Sequence, residues 1–266
     1  MFEFSYVKAK SLPDASAFVT AHPDAKLMSG GMTLIPTLKQ RLARPTHLVD
    51  IGGLPELGGI ESRDGQLIIG AATQHADVAS SAVVQKAIPA LAVLAEHIGD
   101  PQVRNRGTLG GSVANNDPAA DYPAAVLGLD AIIVTNRREI AAADFFQGMF
   151  ATALEAGEIV VRLRFPIPRR AVYEKFPHPA SGYAMAGVFV ADGAGGLRVA
   201  VTGAASGVFR WQEAELALTK KMSPAALEGL ALDMSDMNED IHATREYRAN
   251  LVRVMTKRAV QKLAAA

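Results

Sequence analysis

The sequence predicts an α+β protein made of three units. A strand, a glycine turn, a helix and a second strand follow one another between Lys26 and Ile51, and a glycine-rich stretch from Gly52 to Gly59 ends this unit. A longer mixed segment comes next. After Pro166-Ile167-Pro168, three strand patterns precede two helical ones, which is typical of a separate α+β domain. We therefore expect units at residues 1–55, 56–168 and 169–266.

Local signals predict the individual elements. Ser11 precedes Leu12-Pro13, and because serine caps helices and proline fits their first turn, a helix to about Ala21 is expected. The segment from Asp100-Pro101 to Gly110-Gly111 is expected to be a loop. Apolar spacing predicts the other helices over residues 32–42, 89–98, 122–127, 213–219 and 243–263, and strands over 26–28, 47–51, 67–70, 131–134, 158–165, 172–176, 184–190 and 197–202.

The charge balance excludes several classes of partner. Basic and acidic residues number 27 each, so no net field attracts nucleic acid or an anionic membrane. No apolar run reaches the roughly 20 residues that a membrane-spanning helix needs. The segment Met1 to Lys10 lacks the long apolar stretch of a signal peptide. We expect no nucleic-acid partner, no membrane span and a cytoplasmic location.

The residue types also limit the chemistry. The chain has no cysteine, which excludes disulfides, thiolate zinc sites and an ordinary iron–sulfur cluster within it. Its six histidines are scattered without the close pairing of a helical zinc site, so surface or packing roles are expected for them. The residues indicate neither a metal site nor a catalytic triad or dyad.

Two glycine pairs are the clearest local signal for a ligand. Gly30-Gly31 follows a predicted strand, and Gly110-Gly111 lies much later in the chain. Glycine lets consecutive backbone N–H groups turn outward with no Cβ in the way, which suits phosphate oxygens. Each pair alone could equally be an ordinary turn. Together the two turns could close on one pyrophosphate, whereas the spacings of Rossmann and P-loop sites are absent.

The two glycine pairs lie in longer segments at residues 27–34 (LMSGGMTL) and 105–123 (NRGTLGGSVANNDPAADYP). These segments are similar to the two FAD signatures of a known family, the FAD-binding medium subunits of the xanthine dehydrogenase and aerobic carbon monoxide dehydrogenase family of molybdenum hydroxylases. The carbon monoxide dehydrogenase branch is similar at residues 173–176 (YEKF), Tyr183, 201–205 (VTGAA), 240–243 (DIHA) and 246–248 (EYR). The resemblance spans essentially the whole chain.

The resemblance implies a flavoprotein fold of the PCMH or vanillyl-alcohol-oxidase type, with two α/β subdomains and a C-terminal α+β domain that has a small antiparallel sheet and helices. FAD would lie between the N-terminal region and the C-terminal domain, with both glycine turns at its pyrophosphate. The residues that match cofactor-contacting positions of the family are Leu27, Met28, Ser29, Gly30, Gly31, Met32, Thr33, Leu34, Ile98, Thr108, Leu109, Gly110, Gly111, Ser112, Asp121, Val160, Lys175 and Tyr183.

Some of these matches imply specific roles. Asp121 falls where the family has an acidic residue near the hydroxylated linker of FAD, and by itself it would be expected to cap a helix, which is compatible with that role. Lys175 matches a lysine near the flavin ring, where a cation would stabilise the reduced flavin; by itself it reads as a solvated strand residue. Tyr183 matches an aromatic residue beside the isoalloxazine. Met32 departs from relatives that carry a polar residue there, which affects side-chain contacts only.

The roles of the three subunits in this family imply the function of the chain. A molybdenum cofactor in a large subunit oxidises the substrate, and [2Fe-2S] clusters in a small subunit carry the electrons. FAD in the medium subunit then passes them to an external acceptor such as a quinone, NAD or oxygen. Because this chain has no cysteine, the clusters must belong to a partner. A stand-alone FAD-dependent oxidoreductase and a flavin-free structural subunit are the alternatives.

Overall fold

The first unit is a small parallel sheet with a helix after each of its outer strands. The computed structural model describes residues 1–265. Strand β3 lies in the centre of the order β1-β3-β2 and pairs in parallel with both neighbours. The Gly30-Gly31 turn follows the carboxyl end of β2, an outer strand of this sheet. The elements are β1 (Ser5–Lys8), α1 (Leu12–Ala21), β2 (Lys26–Met28), α2 (Leu34–Lys39) and β3 (His47–Asp50).

The structure confirms the predicted cap of α1 and corrects the predicted length of α2. The Ser11 side chain accepts a hydrogen bond from the Asp14 amide, as expected of a helix cap. Helix α2 is shorter than the predicted span of 32–42. Gly31 has a φ of +73° and Arg41 a φ of +60°, and this left-handed backbone interrupts the helix on both sides.

The second unit is an antiparallel five-stranded sheet covered by short helices. Its order is β4-β5-β10-β6-β7, so the last strand in sequence, β10, lies in the middle. A two-stranded ribbon, β8 and β9, stands apart. The elements are β4 (Ile60–Arg63), β5 (Gln66–Gly70), α3 (His75–Ser80), α4 (Ala82–Ala87), α5 (Pro89–Glu96), α6 (Pro101–Arg104), α7 (Leu109–Asn115), α8 (Tyr122–Gly128), β6 (Ile132–Thr135), β7 (Glu139–Ala141), α9 (Ala142–Phe145), β8 (Phe146–Gly148), β9 (Ala151–Thr152) and β10 (Val160–Pro166).

The loop predicted between Asp100 and Gly111 is wrong, because it contains α6 and the first turn of α7. Glycine disfavours helix interiors, so the Gly110-Gly111 pair pointed away from a helix. A Cβ on Gly110 would lie only 2.4 Å from the Cβ of Ala71. The helix can pack closely against the end of β5 only if this position has no side chain, and this packing overrides the local propensity.

The third unit is an antiparallel sheet between two layers of helices. Its strands are β11 (Arg170–Pro177), β12 (Ala184–Gly193), β13 (Gly196–Thr202) and β14 (Phe209–Arg210), and its helices are α10 (Gln212–Lys220) and α11 (Arg245–Ala265). On one face Val188, Val190 and Val201 pack against these helices. On the other, Phe189 and Ala200 join the core of the second unit, next to the fully buried α8. The three sheets and their helices confirm the predicted α+β class.

Arg248 on α11 ties this helix to the strand ends nearest the second unit. Its guanidinium donates hydrogen bonds to the carbonyls of Met185 and Gly203, at 3.2 and 3.0 Å, and to the carboxylate of Asp240 at 2.7 Å. The Gly203 amide in turn bonds to the Pro118 carbonyl. Arg248 thus holds a strand end that contacts the second unit. No helix within residues 1–265 is both long and apolar enough to cross a membrane.

Replacing Arg248 should weaken this connection. We expect Arg248→Met to lower the free energy of unfolding by about 3 kcal/mol, because it leaves buried carbonyls without a donor and Asp240 without its cation. Arg258→Met is the matched control, since Arg258 is exposed on the same helix. It should change stability by less than about 0.5 kcal/mol. Urea titration measures both, and equal small effects would contradict the assignment.

Candidate cofactor site

A cavity of about 750 Å³ lies where the three units meet. This volume is within the usual range for cofactor and ligand sites. One wall comes from the first unit, including Leu27 and Ile51, and another comes from residues 154–160 before and within β10. The loop of Ser181, Gly182 and Tyr183 contributes the third unit's part of the wall. Segments far apart in sequence therefore converge on one site.

The structure brings most of the predicted cofactor residues to this cavity. Leu109 is instead fully buried in the core, and Lys175 stands behind the wall. The predicted residues that line the cavity are Leu27, Met28, Ser29, Gly30, Gly31, Met32, Thr33, Leu34, Ile98, Thr108, Gly110, Gly111, Ser112, Asp121, Val160 and Tyr183.

The first glycine turn offers free backbone donors. Residues 29–33 leave β2 and belong to neither a strand nor a helix. In the part of the chain that the structure describes, the amides of Gly30, Gly31, Met32 and Thr33 donate no hydrogen bond to protein. Since all four residues line the cavity, they form a run of donors suited to an anionic oxygen.

The second glycine turn differs, because its amides already have partners. The Leu109 amide donates to the Thr73 carbonyl at 3.0 Å, and the Gly110 amide to the Ala71 carbonyl at 2.8 Å. The Gly111 amide donates to the Thr108 hydroxyl at 3.2 Å. The expectation that both turns present free amides is therefore wrong for the second. This turn contributes close packing and the hydroxyls of Thr108 and Ser112.

The two turns touch each other directly. A Cβ on Gly30 would lie 2.0 Å from the carbonyl oxygen of Arg106 and 2.8 Å from the Cα of Gly107. Beside this contact, the Thr108 hydroxyl donates to the Ser29 hydroxyl at 3.2 Å. Glycine at position 30 is thus required by the approach of the neighbouring backbone. The free amides of the first turn are held in place by the second.

Asp121, which lines the cavity, forms a buried ion pair with Lys175. The Lys175 ammonium lies 2.9 Å from one carboxylate oxygen of Asp121 and 3.0 Å from the other, and it also donates to the His97 carbonyl at 3.0 Å. The Tyr173 hydroxyl donates to Asp121 at 2.5 Å. Burial raises the pKa of Asp121, and the ammonium and the hydroxyl oppose that rise.

This geometry corrects two of the interpretations that the sequence left open. Asp121 makes no capping hydrogen bond to α8, so the helix-cap interpretation is wrong. The Lys175 side chain is only 6% exposed, so it is not a solvated strand residue. Asp121 lines the cavity and Lys175 does not, so the carboxylate lies between the ammonium and the cavity.

Tyr183 lies on the loop that joins β11 to β12. This residue is 46% exposed and forms part of the cavity wall. Partial burial raises the pKa of Tyr183, and the nearby carboxylates of Asp117 and Asp121 raise it further, so the phenol stays protonated at neutral pH. An aromatic face with a protonated hydroxyl is therefore available to a planar ligand.

Sequence reasoning missed the wall formed by residues 154–159 and the buried His75. In this wall the Glu158 carboxylate accepts hydrogen bonds from Arg138 at 2.9 Å and from Thr135 at 2.8 Å. The Arg138 hydrogen bond is the main reason that the pKa of Glu158 falls to about 2. No apolar period or motif marks this irregular segment. Among residues 1–265, no group of three His, Asp or Glu side chains could hold a metal ion.

Comparison with known proteins identifies the family. Residues 2–168 match the model of the FAD binding domain in molybdopterin dehydrogenase. The chain is 36% identical to the carbon monoxide dehydrogenase medium chain of Hydrogenophaga pseudoflava, covering 97% of this chain and 96% of that one. It is 33% identical to the glyceraldehyde dehydrogenase medium chain of Sulfolobus acidocaldarius, with 98% and 99% covered.

A solved structure extends the similarity to the whole fold. The chain superposes on one from reconstituted CO dehydrogenase of Oligotropha carboxidovorans with a TM-score of 0.92 and 33% identity, covering 99% of this chain and 98% of that one. The predicted flavoprotein fold is confirmed by this likeness. The chain belongs to the FAD-binding medium-subunit family of the molybdenum hydroxylases.

Proposed function

We propose that this chain is the electron-transfer subunit of a molybdenum hydroxylase complex. It binds FAD in the cavity between its three units, accepts electrons from [2Fe-2S] clusters of a small partner subunit and passes them to an external acceptor. A large partner subunit holds the molybdenum cofactor and oxidises the substrate. The observation that carries the proposal is the run of free amides at residues 30–33, which lines a cavity in a chain of this family.

The free amides of the first turn bind the pyrophosphate in this proposal. They supply several donors without a basic side chain, and glycine allows close approach. The second turn packs against them, while Ser29 and Ser112 offer hydroxyl donors; the Thr108 hydroxyl already donates to Ser29. The adenosine end would then lie toward Leu27, Ile51 and the wall at residues 154–160, which is largely apolar at its strand end.

The flavin end lies toward Ile98, Asp121 and Tyr183. FAD supplies a carrier that can take electrons singly and release them in pairs, and the protein orients it and sets its potential. Asp121 has lone pairs left for the hydroxylated linker beyond its bonds to Lys175 and Tyr173. Tyr183 stacks on the flavin ring, and its exposed position leaves that ring reachable from outside. No general acid or base is required of this chain.

The partner assignments rest on composition and on the relatives. This chain has no cysteine, so the clusters that deliver electrons must lie in another polypeptide. Medium chains of this kind occur in enzymes named for carbon monoxide and for glyceraldehyde, which supports the proposal that another subunit, the molybdenum subunit, selects the substrate. The external acceptor is a quinone, NAD or oxygen. The cytoplasmic location belongs to the same proposal and rests on the sequence alone.

Two rival functions have less support. A stand-alone FAD oxidoreductase would need its own substrate pocket above the flavin. The two medium chains align with 97% and 98% of this chain. Nearly all of its residues are therefore shared with subunits of multi-subunit enzymes, and few are left to build such a pocket. A flavin-free structural subunit would have no use for the free amides or for the buried ion pair behind the wall.

Gly30 tests the pyrophosphate placement. Gly30→Ala should reduce FAD affinity at least about tenfold, because the new Cβ forces the two turns apart and displaces the free amides. Gly193→Ala is the control, since a Cβ there meets nothing within 4 Å. Flavin absorbance after dialysis and calorimetric titration with FAD measure the effect. Equal flavin content in both variants, with both folded, would remove the assignment.

The Asp121 and Lys175 pair tests the flavin end. Lys175→Met should lower the flavin midpoint potential, because a cation that favours the electron-rich reduced form is lost. Asp121→Asn should raise it by leaving that cation uncompensated, and the double variant should return toward the wild-type value. Shifts on the order of 20–50 mV are expected, since about 1.4 kcal/mol corresponds to 30 mV for a two-electron couple. Dye-coupled redox titration measures them, and three unchanged potentials would place the flavin elsewhere.

The partners are tested by purification from the native source. The chain should co-purify with a polypeptide that contains molybdenum and with a smaller one that carries iron and sulfur. Mass spectrometry and metal analysis of the intact complex identify both. A yellow protein that elutes alone and turns over a substrate without partners would instead support the stand-alone oxidoreductase.

A further inference from the structure

His75 is a buried side chain of the cavity that the proposed FAD contacts do not yet use. It is the first residue of α3, is only 4% exposed and lines the cavity. Its amide donates to the Gly107 carbonyl at 3.0 Å, which fixes the residue beneath the segment that leads into the second glycine turn. A Cβ on Gly107 would lie 2.6 Å from the His75 Nε2 atom, so this nitrogen is directly beside a cavity-lining glycine.

The other ring nitrogen shows which atom carries the proton. Nδ1 is buried and has no hydrogen-bond partner among the described residues. A buried N–H without an acceptor is rarer and less favourable than a buried lone pair without a donor. The proton of the neutral ring therefore belongs on Nε2, the nitrogen on the side of Gly107. Burial, aided by the nearby Arg104 guanidinium, lowers the pKa of His75 to about 4, so the ring is neutral at neutral pH.

The residues around Nε2 are the same ones that would surround the proposed pyrophosphate. Gly107 touches Gly30, the first residue of the run of free amides. Thr108 follows Gly107 and contacts Ser29, and all of these residues line the cavity. A donor placed here faces the point where the two turns meet. Ring packing on Tyr122, with centroids 5.3 Å apart, holds the imidazole from the side.

We propose that His75 is a further FAD-binding residue, whose Nε2–H donates a hydrogen bond to a pyrophosphate oxygen where the two glycine turns meet. The inference rests on the proposed placement of the pyrophosphate and adds a side-chain donor to the backbone amides. As a neutral donor it binds the anion without titrating over the neutral range.

The test compares two substitutions in the full-length chain after the flavin has been removed. His75→Leu keeps much of the volume but has no donor, and His75→Gln can place an amide N–H near the Nε2 position. The probes are FAD, ADP, which has the pyrophosphate without the flavin, and riboflavin, which has the flavin without phosphate. Calorimetry measures ADP binding, and fluorescence measures FAD and riboflavin binding. Thermal unfolding of the flavin-free variants reports any loss of packing.

His75→Leu should weaken FAD and ADP about tenfold, as expected for one hydrogen bond to a charged acceptor, and should leave riboflavin unchanged. His75→Gln should stay within about threefold of the wild type. Equal affinities for wild type and His75→Leu, equal losses in both variants, or an equal loss for riboflavin would overturn the inference. If Gly30→Ala loses FAD while His75→Leu keeps it, only the role of His75 is excluded. If both variants keep FAD, the pyrophosphate placement and the role of His75 are both excluded.

Discussion

The approach of two chain segments at Gly30 is the constraint on which the site depends. A Cβ at this position would lie 2.0 Å from the Arg106 carbonyl oxygen, so no residue with a side chain fits there. This contact joins the end of the first sheet to the helical part of the second unit. It also holds residues 29–33 in a conformation that pairs with no strand or helix, so that their amides are kept for a ligand.

A second connection links the proposed flavin end of the cavity to the third unit. The Lys175 ammonium binds the carbonyl after α5 and the carboxylate before α8, so one side chain of β11 joins two helices of the second unit. The same hairpin carries Tyr183 in its loop. The charge and the aromatic ring that a flavin would meet are therefore delivered together. Burying two charges has a desolvation cost. Hydrogen bonds from Tyr173 to the carboxylate and from the ammonium to the His97 carbonyl offset this cost.

Sequence reasoning succeeded where local chemistry decides. The Ser11 cap, the short strand before Gly30 and the strands of the third unit follow from neighbouring residues, and long similar segments brought in the remaining cofactor positions. It failed where distant contacts decide. Gly110 lies in a helix that packs closely against Ala71, which no local signal predicts. The amides of Leu109 and Gly110 donate to the carbonyls of Thr73 and Ala71.

The incorrectly assigned cap and the missed residues have the same physical explanation. Asp121 does not cap its helix because Lys175 and Tyr173, more than fifty residues away, hold its carboxylate. His75 had no motif to mark it, since its burial depends on Gly107 and Tyr122. The wall at residues 154–159 is irregular, and hydrogen bonds from Arg138 and Thr135 to Glu158, both distant in sequence, give it a fixed shape.

The central position of β10 has a consequence for biosynthesis. This strand is the last of the second sheet in sequence, yet β5 and β6 both need it as a neighbour. Contacts between distant segments form late, and a nascent chain emerges from its N-terminus. The ribosome must therefore release the chain through Pro166 before the glycine turns face a closed wall, and cofactor insertion has to wait for that moment.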